Sequence, residues 1–216
     1  MAKTKTIPEA AERWALPARQ ARSRAMRARI LAAAEEVFAR KGYEGARIAD
    51  IAEATKCSVG AVYFRFKDKD ALFFAIAESF ADDVRARMAD LMDGGKEPRA
   101  TVREFVVRTA SQFRAHKGMF RAVVERGFDH APAMATIMNL REEMAKTLET
   151  TLHAHGEGDR AEAIPVAVRV LTQMVYGFFL TGALNAKAPT NIDDPRAVSE
   201  AADAMIAYLE AKGLLQ

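Results

Sequence analysis

Between Lys56 and Lys69 stand Ser58, Val59, Gly60, Ala61, Tyr63, Phe64, Lys67 and Lys69. This set makes and breaks no covalent bond. It is equipped to lie against a polyanion and touch what the polyanion carries. Val59 and Ala61 can meet thymine methyl groups but cannot read guanine by hydrogen bonding. Gly60 and Ala61 are small enough to bring a helix backbone close to base edges. The Tyr63 hydroxyl can reach a phosphate. Phe64 either stacks on a sugar or sits half-exposed. Lys67 and Lys69 fall at the start of a helix, where cationic side chains and orphan N–H groups both favour phosphate. Arg47, at the start of an earlier helix, is similarly placed.

Bond-making constellations are not found. The stretch 156–161 fits G-x-G-x-x-A by letter, but it follows a helix and would bring two acids to any phosphate. His153 and His155 are two residues apart and point to different helix faces. His116 and His130 are isolated. No catalytic residue, metal site or cofactor is expected, and the chain is not expected to be an enzyme. The single Cys57 excludes an internal disulfide and fits the reducing cytoplasm.

The elements that must position these residues are helices. Apolar residues recur at helical spacing over 24–40 (Ile30, Leu31, Ala34, Val37, Phe38), and Gly42 ends that run. A short helix is predicted over 47–55. After a turn at Lys56-Cys57, Ser58 caps another over 59–64. Asp68 caps a long fourth helix that reaches about residue 92, and Gly94-Gly95 breaks the pattern. Further helices are predicted over 98–115, 118–127, 133–154, 161–186 and 195–212. Pro132, Pro165 and Pro195 lie near first turns, where a missing N–H costs nothing. No alternating run is long enough for a strand. The fold class is therefore all-α, with about nine helices. A trihelical head with a helix-turn-helix precedes a larger helical bundle.

Charge divides the same way. Through Asp70 the chain has fifteen Lys and Arg against nine Asp and Glu; after it, seventeen against twenty. A basic front suits a polyanionic partner. Residues 1–22 carry no stable period and are predicted to form a flexible basic arm with at most one helical turn, around 10–16, either solvated or touching DNA. The longest uncharged stretch, 170–186, falls short of the roughly 20 residues of a membrane span. It predicts a helix buried on several sides, and no membrane partner is expected.

The run 42–73 resembles the DNA-binding domain of the TetR family of transcriptional regulators. The matching residues are Gly42-Tyr43, Ile51-Ala52, Ser58, Gly60, Tyr63, Phe66, Lys67, Lys69 and Leu72. Three positions depart from that pattern. Arg47 stands where Ser or Thr is usual, Lys56 replaces the turn glycine, and Cys57 replaces Val. The resemblance implies a DNA-binding domain over 23–70 and a ligand-binding and dimerisation domain over 71–216. It implies a homodimer on a palindromic operator, most often as a repressor, released when an effector tilts the fourth helix. Eight of ten Met and nine of twelve Phe lie beyond Asp70. Phe105, Phe113, Phe120, Met138, Met174 and Phe178 are candidate lining for an apolar or amphipathic effector. Arg141 faces either an acidic ligand or Glu142, Glu143 and solvent. The last two helices, with Gly177, Gly182 and Ala183 and then an Ala-rich stretch, are the expected dimer face. The competing expectation is a small-molecule-binding or enzymatic bundle with an incidental trihelical head. It needs a catalytic pair or metal cluster in the rear half, which the sequence does not offer.

Overall fold

Local stop and start signals set the helix boundaries. Asp68 Oδ1 accepts the Ala71 N–H (2.7 Å), and Asp194 Oδ1 accepts the Arg196 N–H (2.9 Å). The Glu97 carboxylate accepts from Arg99 and Ala100 (2.9 and 3.0 Å). Each cap satisfies N–H groups that have no partner inside the helix. The computed structural model describes residues 9–91, 97–126, 131–155, 158–185, 187–188 and 191–215. Among them are nine α-helices and no strand. They are α1 (Glu9–Gly45), α2 (Ile48–Thr55), α3 (Val59–Tyr63), α4 (Lys69–Met88), α5 (Pro98–Ala115), α6 (Lys117–Arg126), α7 (Ala131–His155), α8 (Ile164–Leu184) and α9 (Pro195–Ala211). Gly94-Gly95 and His130 lie outside the described residues.

The expected arm differs from what is observed. Residues 1–8 are outside the described residues, but from Glu9 the chain is already α1. The segment has no apolar stripe, so periodicity does not reveal it. Its Ala, Arg, Gln and Glu residues nonetheless have high intrinsic helix propensity. α1 bends at Gly42, whose φ of 73° and ψ of 171° interrupt the helix.

The head packs around an aromatic cluster. Phe38 and Tyr43 rings lie 5.4 Å apart, and Tyr43 and Phe73 5.5 Å apart. Ile30, Ile51, Val62 and Leu72 are fully buried around them. α4 belongs to both halves. Leu72 and Phe73 close the head, whereas Phe80 and Val84 enter the body, so a single apolar core runs through both. In the body, the Phe113 and Phe120 rings stack at 4.0 Å. By length and composition α8 is apolar enough to cross a membrane. One side of it, including Val168, Leu171, Val175 and Phe179, is nevertheless buried in the bundle core.

Candidate functional site

The helix-turn-helix is held by its turn. The Lys56 N–H donates to the Glu53 carbonyl (3.0 Å) and the Cys57 N–H to the Ala52 carbonyl (2.9 Å). Lys56 itself adopts φ 57°, ψ 45°, the left-handed conformation that favours glycine. Lys56→Gly is therefore expected to stabilise the protein by about 1 kcal/mol and raise its Tm by about 2–4 °C. Thermal denaturation followed by circular dichroism checks this, and an unchanged or lower Tm rejects it.

Ser58 Oγ accepts the Ala61 N–H (3.1 Å) and starts α3. Val62 and Phe66 are buried and pin α3 to the head. The opposite side of α3 is consequently turned out. Val59, Gly60 and Tyr63 are exposed, Ala61 is half-exposed, and Phe64 is 83% exposed. Lys67 and Arg47 are also exposed. Lys69 is placed differently. Its ammonium donates to the Tyr43 and Ala46 carbonyls (2.8 and 3.3 Å) and lies 4.3 Å from the Tyr43 ring centre. It ties α4 to the α1–α2 connection instead of reaching outward. Arg65, which no spacing argument singled out, donates to the Ala61 carbonyl (2.9 Å) and sits over the Phe64 ring.

In the body, a cavity of about 340 Å³ opens between α5, α6, α7 and α8. Of the sequence-predicted lining residues, Phe113, Phe120, Met138 and Arg141 border this cavity. Phe105, Met174 and Phe178 do not. Phe105 is buried in the core, where it borders a small void together with Met88 and Leu148, Met174 is exposed, and Phe178 packs edge-on against Phe179. The α8 residues at the cavity are instead Gln173, Tyr176, Gly177 and Leu180. They form one helical stripe, and Met174 and Phe178 each lie one residue, about 100°, around from it. Val123, Val124, Met134 and Ile137 complete the wall.

α6 connects cavity and head. Phe120, Val123 and Val124 face the cavity. On the other side, Gly118, Arg121 and Glu125 grip α1. Arg121 donates to the Ala39 carbonyl (2.8 Å), and Glu125 accepts the Tyr43 N–H (2.6 Å) just past the Gly42 bend. Burial raises the Glu125 pKa, but Arg121 and that N–H outweigh it and hold the carboxyl below its ordinary range. At the end of α6, Arg126 pairs with Asp70 on α4 (3.4 Å), and the Tyr43 hydroxyl donates to the same carboxylate. Burial and then this Asp70 bond push the Tyr43 phenol far above its usual range.

His116, between α5 and α6, adds a pH-dependent tie. Its Nδ1 is 3.0 Å from Glu35 on α1, and its Nε2 is 3.6 Å from Asp83 on α4. Burial opposes protonation, but Glu35 and Asp83 prevail and raise the pKa above its ordinary 6.5. The protonated pair thus stabilises the fold fully below about pH 6.5 and is lost as pH rises through the higher folded value. Unfolding free energy from urea titrations is expected to be greater at pH 6 than at pH 8, with a smaller difference in His116→Gln. An equal difference in both proteins would exclude this role.

Residues 30–76 match the family model described as bacterial regulatory proteins, tetR family, and residues 97–209 match the tetracyclin repressor-like C-terminal domain. The HTH-type transcriptional repressor AcnR of Corynebacterium glutamicum is 44% identical over 66 residues, covering 31% of this chain and 33% of that protein. The A-factor receptor protein of Streptomyces griseus is 30% identical over 131 residues, 58% of this chain and 48% of the receptor. The chain thus spans about a third to a half of the length of these curated relatives. A TetR-family regulator from Mesorhizobium loti superposes with a TM-score of 0.69 at 20% identity, covering 88% of this chain and 98% of that one. A Rhodococcus sp. RHA1 transcriptional regulator does so with a TM-score of 0.69 at 22% identity, covering 86% and 96%. These two superpositions share the fold.

Proposed function

This chain belongs to the TetR family of bacterial transcriptional regulators, and from that premise we propose that it is a cytoplasmic, effector-released repressor that binds a palindromic operator as a homodimer. The carrying observation is the way α3 is mounted. Only Val62 of its five residues is buried, so Val59, Gly60 and Tyr63 are presented outward beside exposed Phe64 and Lys67. In a helix-turn-helix the second helix enters the major groove. Arg47, Ser58, Val59, Gly60, Ala61, Tyr63, Phe64 and Lys67 form the contact surface in this reading. Lys69 acts through the head it holds together.

The two halves divide the work, residues 23–70 reading DNA and 71–216 sensing and pairing. One short helix reads few bases, and a two-fold axis doubles the site. Support for pairing through α8 and α9 comes from Val166, Val170 and Met174, which are 56%, 39% and 44% exposed on one stripe of α8. Ala204, Ala207 and Ala211 of α9 are also exposed, and their small side chains permit close approach. The expected effector is an apolar or amphipathic molecule in the α5–α8 cavity. The similar A-factor receptor is named for a ligand, which favours a sensing role for the body.

Release is a coupling between two sites. An effector that displaces Phe120 and Val123 moves α6. That helix bears on α1 through Gly118, Arg121 and Glu125, and on α4 through Arg126. Tilting α4 changes the separation of the paired α3 helices. By linkage, DNA weakens the effector equally.

The test is a titration of labelled palindromic and random duplexes at several salt concentrations. Affinity is expected to prefer certain sequences and to fall linearly in log–log form with salt. Loss of both features defeats the DNA reading. Tyr63→Phe and Lys67→Ala are expected to weaken all duplexes, whereas changes at Val59 or Ala61 alter sequence preference.

A further inference from the structure

We propose that the α5–α8 cavity takes an amphipathic monoanion, a carboxylate on an apolar body, with its head held by Arg141 and Tyr176. The inference rests on the effector-cavity reading above and narrows it to one chemical class.

The sign of charge comes first. Among the described lining residues Arg141 carries the only formal charge, and no acid faces it. The carboxylates next to it in sequence are engaged elsewhere. Glu143 accepts two N–H bonds from Arg85 on α4 (2.8 and 3.0 Å), and Glu142 lies 3.9 Å from Lys146. Arg141 pairs with no carboxylate among the described residues. It donates one bond to the neutral Gln173 Oε1 (2.8 Å) and lies 4.5 Å from the Tyr176 ring centre. A guanidinium has five N–H donors in a planar fork, so most remain for an incoming acceptor.

Tyr176 supplies a second donor beside it. Its hydroxyl has no hydrogen-bond partner among the described residues, although the side chain lines the cavity. Burial pushes the phenol up to about 12, with Arg141 pulling the other way, so it keeps its proton at neutral pH. Two polar side chains without an acceptor of matching charge thus stand together on the α7–α8 side.

The rest of the wall selects the body of the ligand. Phe113, Phe120, Ile137 and Leu180 are apolar, and the exposed Val124 and Met138 also border the cavity. A cation would meet a guanidinium without any compensating acid. A dianion such as a phosphate monoester would find only one positive charge. A single carboxylate matches both the charge and the paired donors.

The experiment compares decanoate, decanol and decylammonium, each below its micelle-forming concentration, by calorimetric titration of the full chain at about pH 8. Decanoate is expected to bind about tenfold more tightly than decanol, with decylammonium weakest. Arg141→Met is expected to bring decanoate to the affinity of decanol while leaving decanol unchanged. Tyr176→Phe should lose part of the same preference. Decanol or decylammonium equalling decanoate overturns the proposal, as does an unchanged preference in Arg141→Met or a complete lack of decanoate binding. Gly177→Phe separates this failure from that of the cavity reading. A Cβ at Gly177 meets nothing within 4 Å, so the phenyl ring has room to occupy the cavity. If it blocks all probes but they show no head-group preference, the cavity stands and the anion falls. If it leaves every probe bound as before, the effector-cavity reading falls as well.

Discussion

Gly118→Ala is expected to destabilise the protein by about 3 kcal/mol and lower its Tm by roughly 10 °C, although alanine is the better helix former. Gly118 sits in the first turn of α6 where that helix presses on the backbone of α1. A Cβ there would fall on the Glu35 carbonyl oxygen, 2.8 Å from its carbon and 3.1 Å from the Ala39 nitrogen. None of these atoms belongs to a flexible side chain, so one helix must move away from the other. Helix propensity alone gives the opposite sign, a gain of up to about 1 kcal/mol. Calorimetry of the two proteins therefore decides between them, and a raised Tm in Gly118→Ala would show that α6 does not bear on α1. Displacement would also loosen Arg121 and Glu125, one and two turns further along the same face. Weakened coupling between effector and DNA should accompany the loss of stability.

Val59→Glu is expected to lower operator affinity at least about a hundredfold, equivalent to about 3 kcal/mol, with no loss of thermal stability. Val59 is exposed at the first position of α3, so its replacement creates no cavity. A carboxylate in a first turn suits the helix dipole, which protects the fold. The same carboxylate in a DNA groove faces phosphates and base acceptors, and a dimer places two of them there. Fluorescence anisotropy with the palindromic duplex measures the loss, and parallel melting curves establish that the head is intact. Retained affinity would mean that α3 does not enter the groove.

The features legible in the sequence are those whose causes are local. Ser58, Asp68 and Asp194 act on N–H groups two or three residues away, so each start could be placed from neighbouring letters. Val62 and Phe66 share a face by helical spacing alone, and their burial turns Val59 and Tyr63 outward. At Lys56, the cost of a positive φ could be anticipated only through the family resemblance, whose pattern has glycine at that turn. Phe113, Phe120 and Met138 were reachable as cavity residues because aromatic and methionine side chains concentrate in the middle helices, and Arg141 because it is a charge among apolar neighbours.

Other assignments required knowing which helix lies beside which. α8 is apolar around most of its circumference, so no period separates the cavity stripe of Tyr176 and Leu180 from the outward stripe of Val170 and Met174. Lys69 has the letters of a phosphate contact. Its ammonium is spent on carbonyls 26 and 23 residues away, brought to it by the bend at Gly42. Glu125 and Tyr43 are 82 residues apart, and no local pattern pairs them.

By itself, then, the sequence determined an all-helical chain with a helix-turn-helix head, because caps, turns and 3.6-residue periodicity operate within a few residues. Only the tertiary structure decided that α6 serves cavity and head together, that Lys69 holds the head, and that Arg141 faces a cavity without an acid. Those properties arise where separate helices meet, and burial and charge pairing there depend on neighbours that the order of residues does not name.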